Sequence, residues 1–366
     1  MRRLGLSALT ASVLVVLGVS VTLIGCAPNS DSATRKKRIV LLNNTASPFW
    51  DAARAGIKQA VEDFGLEESG YTAAMDANDG TETGQIEKLR QYASKSDIAA
   101  VIISPISSSS PAIAEELQKL KDKGVLIGCF DSDLTEDGRS IREFYVGTNN
   151  VQGGKVLGTA ARNIQPGGGA YAQFVGTDSQ QNARERMDGF TAAVGDNYKE
   201  LARRLDDADR SRARDNVRYV IDKFDELNIL VGIWSYNAPA IVDVVEEKGI
   251  GDKVKVVTFD AEQLAIQQME AGKIDAMVVQ NPFGMGYESV RYAFAKLTGE
   301  SETISEMFPN MGEDGGEILD TGLKVVVPDS GSPLKPEMFE EFGEGVEFLS
   351  ISQFKEWLDE YGLTSS

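Results

Sequence analysis

The stretch RIVLLNNTASPFWDAARAGIKQAVEDF, residues 38–64, decides the fold. Its apolar run Ile39, Val40, Leu41, Leu42 has the length and bounding of a buried strand. The run breaks into the small polar residues Asn43, Asn44, Thr45, Ala46 and Ser47, then Pro48, Phe49 and Trp50. Ala53, Ile57, Ala60, Val61 and Phe64 follow at the spacing of one helix face. The order is strand, polar loop, aromatic pair, helix. Loops at the carboxyl ends of parallel strands are where open α/β sheets take ligands. An aromatic pair there, beside amides and hydroxyls, suits a ligand with flat apolar faces and hydroxyl groups.

The same alternation continues outward. Strand-like runs stand at 71–75, 98–103, 125–130 and 144–147, then at 170–175, 201–205, 229–234, 254–259, 276–279 and 323–327, with helical patterns between them. Such a series predicts mostly parallel sheets with helices on both faces. It divides near Gly147 into two βα series of similar length, without a strong sequence repeat. The tail from Pro328 reads as loop with one helix, in which Phe354, Trp357, Leu358 and Tyr361 share a face.

Composition bounds the function. The chain has 366 residues, 42% of them apolar and 25% charged, ordinary values for a chain with a full core. A formal charge of −19 is the wrong sign for nucleic acid as a partner. There is no His, so the commonest general base and metal ligand is missing. No phosphate loop, nucleophile elbow or metal-ligand cluster occurs, and neither a cofactor nor a metal is expected. Gly284-Met285-Gly286 begins a dinucleotide fingerprint, but Ser289 stands where its third Gly belongs. Of the two Cys, Cys129 sits in an apolar strand and reads as a small buried hydrophobe.

Cys26 reads differently. Met1-Arg2-Arg3 is a basic start, residues 4–24 are largely apolar, and Leu23-Ile24-Gly25-Cys26 closes the run. This is a secretory signal over 1–25. It resembles the bacterial lipoprotein signal, which implies lipidation of Cys26. Residues 26–37 are then a polar tether.

Polar and aromatic residues collect at the strand ends: Asn43, Ser47, Phe49, Trp50, Ser104 and Asp131 in the first series, then Thr148, Asn150, Arg184, Asn237, Asp260 and Gln280 in the second. Amides, carboxylates and an Arg donate to and accept from neighbouring hydroxyls, and aromatic faces cover C–H faces of a sugar ring. Each also has a plainer reading. Asn237 is as readily a helix cap, Phe49 and Trp50 can be core, and one of Asp131 and Asp133 is expected to face solvent.

Several segments together resemble the ribose/galactose-type periplasmic substrate-binding proteins of ABC importers. They are Ser47-Pro48-Phe49-Trp50, Phe130-Asp131, the run from Thr148 to Gly154, the run from Asn182 to Phe190, Thr258-Phe259-Asp260 and Val279-Gln280-Asn281-Pro282. The resemblance covers residues 38–327. It implies two similar doubly wound parallel-sheet lobes, 38–147 with 281–318 and 148–280 with 319–366, joined by a three-segment hinge around a ligand cleft. It further implies that Phe49 and Trp50 wall a sugar or polyol, that Asp131, Arg184, Asn237, Asp260 and Gln280 bond its hydroxyls, and that Asn43, Ser47 and Thr148 or Asn150 line the rim. The aromatic wall of the second lobe is missing from residues 206–212, where Arg210 would stack on the ligand or pair with a charge on it. The implied protein is a non-enzymatic monomer outside the cytoplasm, held to the membrane through Cys26 and feeding an importer permease. A sensor of the same fold, signalling to a membrane receptor, is the alternative. An enzyme using Asp131, Asp260 and Arg184 would need turnover of glycosides.

Overall fold

The computed structural model describes residues 36–366; the expected signal, Cys26 and nearly all of the expected tether lie outside them. The first lobe begins with β1 (Lys37–Leu42), α1 (Phe49–Asp63), β2 (Tyr71–Asp76), α2 (Glu82–Ala93), β3 (Ile98–Ile103), α3 (Pro111–Lys121), β4 (Leu126–Phe130), α4 (Glu136–Arg139) and β5 (Phe144–Gly147). The second has α5 (Asn150–Ile164), β6 (Gly169–Val175), α6 (Gln181–Val194), β7 (Tyr198–Leu205), α7 (Arg210–Lys223), β8 (Ile229–Gly232), α8 (Asn237–Lys248), β9 (Lys255–Phe259), α9 (Gln263–Glu270) and β10 (Ala276–Val279). The chain returns to the first lobe for α10 (Pro282–Thr298), α11 (Ser301–Met307) and β11 (Ile318–Asp320). It ends in the second with β12 (Leu323–Val327), β13 (Val346–Ser350) and α12 (Ile351–Glu360).

Each lobe has one sheet. Their orders, β2-β1-β3-β4-β5-β11 and β7-β6-β8-β9-β10-β12-β13, begin with the same doubly wound series, which places ligand loops at the strands' carboxyl ends. All pairs are parallel except β10 with β12. The chain passes between sheets three times, after β5, after β10 and between β11 and β12. The first two crossings lead straight into Asn-capped helices. Asn149 Oδ1 accepts the amide of Gln152 at 3.0 Å, and Asn281 Oδ1 accepts that of Gly284 at 2.9 Å. The tail departs from the expected loop: residues 346–350 pair with β12 as an edge strand.

Glycine lets paired helices touch backbone to backbone in both lobes. A Cβ on Gly286 of α10 would lie 2.2 Å from the carbonyl oxygen of Ala53 in α1, so this glycine of the rejected fingerprint serves packing. A Cβ on Gly154 of α5 would lie 2.2 Å from the carbonyl oxygen of Arg186 in α6. That contact fixes where Arg186 stands.

Gly154→Ala is therefore expected to force α5 from α6 and destabilise the fold by about 1–3 kcal/mol, the cost of overpacking. Gly167→Ala, with nothing within 4 Å of the new methyl, should be near neutral. Urea midpoints of both variants check this.

Candidate functional site

Strand-end loops of both lobes line one cavity of about 130 Å³. An engineered cavity of about 150 Å³ holds a single benzene ring, so this space is on the scale of one ring. The lobes meet around it. The Ser108 amide donates to the Ser179 carbonyl at 3.2 Å, and Ser108 Oγ accepts the first amide of α6, from Gln181, at 2.9 Å. Asn44 Nδ2 donates to Gln180 Oε1 at 3.0 Å. The cleft is closed.

One wall comes from the first lobe. Phe49 and Trp50 open α1 and line the cavity. They also belong to the core: Trp50 stands edge-on to Phe49, centroids 4.9 Å apart, and edge-on to Phe130 at 5.4 Å. The two roles are compatible, since the core contact sets the ring that faces the cavity. Opposite stand Trp234 and Tyr236, 6.4 Å apart, in the loop after β8. The second lobe thus has an aromatic wall, supplied by a different loop from 206–212. Trp234 reads as the end of a strand in sequence. The signal available was its place at a strand's carboxyl end, two residues before a second aromatic.

The floor is charged. Asp131 follows β4 and Asp260 follows β9, each after a Phe, and both take left-handed backbone at φ 61° and 63°. Such conformations cost on the order of 1–3 kcal/mol and persist where surroundings over-determine them. Here each amide donates to the neighbouring strand, Asp131 to Val146 at 3.1 Å and Asp260 to Val278 at 2.9 Å. Ser104 Oγ donates to Asp131 Oδ2 at 2.7 Å, and Gln280 Nε2 donates to Asp260 Oδ1 at 2.8 Å. Arg186, 1% exposed, stands over the Phe259 ring at 4.2 Å with Nη1 3.7 Å from Asp260 Oδ2. Its Nε donates to Asn150 Oδ1 at 3.0 Å. Burial raises both carboxyl pKa values, Asp260 to about 6, against the pull of the Arg186 guanidinium. Three buried polar atoms of the lining residues have no protein partner: Arg186 Nη2, Asn182 Oδ1 and Gln280 Oε1. Buried polar groups are hydrogen-bonded, so an occupant that both donates and accepts is required.

The expected residues divide accordingly. Ser47, Phe49, Trp50, Asp131, Arg210, Asp260 and Gln280 line the cavity; Asn43, Thr148, Asn150, Arg184 and Asn237 do not. Arg184 turns away and donates to the Asp178 carbonyl at 2.5 Å. Residues two positions apart on an α-helix point about 200° apart, so Arg184 and Arg186 cannot both face the cleft. Asn150 holds Arg186. Asn43 Oδ1 accepts the Asn78 amide at 2.7 Å beneath the site. Thr148 is buried near the first crossing, where its carbonyl accepts from Tyr145 Oη at 3.4 Å. Asn237 neither caps α8 nor lines the cavity: its Oδ1 accepts the Trp234 amide at 3.0 Å and its Nδ2 donates to Asp206 Oδ2 at 3.0 Å. Asp206 also accepts from Tyr236 Oη, so the charged stretch frames the aromatic wall. Arg210 is committed to Glu262 through two bonds of 3.0 and 2.5 Å, above the Tyr236 ring. Asp133 is not solvated. It is buried against Arg142 in a two-bond ion pair of 2.6 and 2.7 Å. Among the described residues no group of His, Cys, Asp and Glu forms a metal site.

The family model described as periplasmic binding protein domain matches residues 39–301. The D-allose-binding periplasmic protein of Escherichia coli is 22% identical over 295 residues, spanning 79% of this chain and 91% of its own. The ribose import binding protein of Bacillus subtilis is 22% identical over 302 residues, spanning 81% and 94%. Among solved structures, a solute binding protein of Burkholderia graminis in complex with D-arabinose superposes with a TM-score of 0.70 at 21% identity, covering 81% of this chain and 99% of that one. The chain belongs to the periplasmic binding protein family.

The raised Asp260 pKa has a stability consequence. Between its ordinary value of 3.8 and about 6 the folded protein holds a proton that the unfolded chain has released. The contribution is full below 3.8 and is lost as pH rises through about 6. Relative to Asp260→Asn, the unliganded wild type should therefore lose up to about 3 kcal/mol between pH 4 and pH 7. Urea titrations of both proteins across that range read it; a pH-independent difference would contradict it.

Proposed function

We propose that this member of the family captures an uncharged monosaccharide by hinge closure outside the cytoplasm and delivers it to an ABC importer. The observation that carries the reading is a one-ring cavity lined by aromatic residues of both lobes, with Arg186 beside Asp260 and within the field of Asp131. Aromatic faces pack on the C–H faces of a sugar, while carboxylates and guanidinium take its hydroxyls as donors and acceptors at once. The relatives' names, those of allose, ribose and arabinose binders, support the same ligand class and a binding protein rather than an enzyme.

Charge narrows the class. Arg210 is taken by Glu262, so the cavity keeps one available cation against two carboxylates. A sugar acid or sugar phosphate would add an anion to that excess, and a neutral sugar would not.

Closure follows from where the groups sit. Asp131 belongs to one lobe, Arg186 and Asp260 to the other. Ligand reaches all three only when the cleft shuts, so binding favours the closed form. The closed surface is what a permease, or a receptor in its place, would read. Cys26 would anchor the protein. A single acyl chain holds weakly, which fits a multiply acylated cysteine.

A thermal-shift screen with D-allose, D-ribose, D-arabinose and D-galacturonate tests the ligand. At least one neutral sugar is expected to stabilise the protein; a shift from the acid alone, or from none, contradicts the reading. Arg186→Ala should abolish the shift while Arg184→Ala keeps it. Cys26→Ser should move the protein from the membrane to the soluble fraction; persistent anchoring would contradict the lipid attachment.

A further inference from the structure

The last residues, 361–366, have no task in this binding scheme, yet they touch its centre. Ser366 is 1% exposed. Its carbonyl accepts the Ala261 amide at 2.7 Å and its amide donates to the Ala261 carbonyl at 3.1 Å, the two-bond exchange of a β-bridge. Its Oγ donates to the Gln280 carbonyl at 3.0 Å. Ala261 follows Asp260, and the Gln280 side chain bonds the Asp260 carboxylate. One residue therefore clamps the backbone at Gln280 and at Ala261, one position after Asp260. It does so where Asp260 holds left-handed backbone, which needs external support.

The same segment reaches the other lobe. The Tyr361 ring lies 4.5 Å from that of Phe283, in the first turn of α10. Leu363 belongs to an apolar cluster that includes Ala52 of α1. Six residues thus join the first lobe's helices to the turn that aims Asp260.

We propose that residues 361–366 are an interlobe brace in which Ser366 is a positioning residue for Asp260 and Gln280 and so sets ligand affinity. The affinity part rests on the sugar site proposed above. The brace holds the Asp260 turn and the second crossing in register with α10, so that closing the cleft delivers both side chains to the cavity together.

Three variants in the full chain test it. Ser366→Ala removes only the bond to Gln280, Ser366→Thr keeps a hydroxyl, and Ser366→Pro removes the amide that bonds Ala261. Calorimetry uses whichever of D-allose, D-ribose and D-arabinose binds the wild type. Ser366→Ala should weaken that affinity roughly threefold to tenfold, the worth of one net hydrogen bond. The unliganded thermal midpoint should fall by no more than the loss of one hydrogen bond explains, and Ser366→Thr should restore affinity. Affinity within twofold of wild type overturns the proposal, as does a loss that Ser366→Thr does not recover. A second readout needs no ligand: in the unliganded protein, Ser366→Pro should speed hydrogen exchange at the Asp260 amide. If none of the three sugars binds the wild type, the sugar reading fails on its own. The exchange rate then decides the brace, and an unchanged rate overturns it.

Discussion

A guanidinium taken out of water has to find partners, and Arg186 is almost wholly buried. It meets that demand with the Asn150 side chain, the Ile233 carbonyl at 3.3 Å, the Phe259 ring and the Asp260 carboxylate. The partners come from three parts of the second lobe, so placing this one charge draws together the first crossing, the end of β8 and the end of β9. Asp131 reaches its field only from the other lobe. The helix contact at Gly154 sets the depth of the Arg186 backbone, and a glycine is needed there because no Cβ fits.

The two lobes solve the same problem twice. Both end their fourth strand in Phe-Asp with the Asp in left-handed backbone, and both place aromatic residues after an earlier strand. Brought together, two carboxylates repel, and the Asp131 charge adds to the burial that raises the Asp260 pKa. The closed cleft is therefore poised. Polar atoms without protein partners make closing costly unless the occupant satisfies them. An occupant with several hydroxyls offsets that cost, and the hinge becomes a ligand-driven switch.

How much of this can be read from sequence follows the range of the interactions. The βα alternation shows because apolar run length and Gly or Pro punctuation are local. The strands 318–320 and 346–350 do not, because they are short, partly exposed edges held by distant partners. The run Ala183-Arg184-Glu185-Arg186 marks an arginine for the cleft. Which one enters depends on helix rotation, set by a contact with Gly154 that is 32 positions away from Arg186. Arg210 looks available until its partner Glu262, 52 residues on, is placed beside it. Trp234 is hidden for the opposite reason: it sits at the end of an apolar run and reads as part of it.

A crystal structure of the protein with its best-binding monosaccharide tests what occupies the cleft. The sugar ring should lie between Phe49 and Trp50 on one side and Trp234 and Tyr236 on the other. Its hydroxyls should lie within hydrogen-bond reach of Arg186, Asp131 and Asp260, with Arg210 still paired to Glu262. A sugar bound elsewhere, or Arg210 released from Glu262 to meet the ligand, would contradict it.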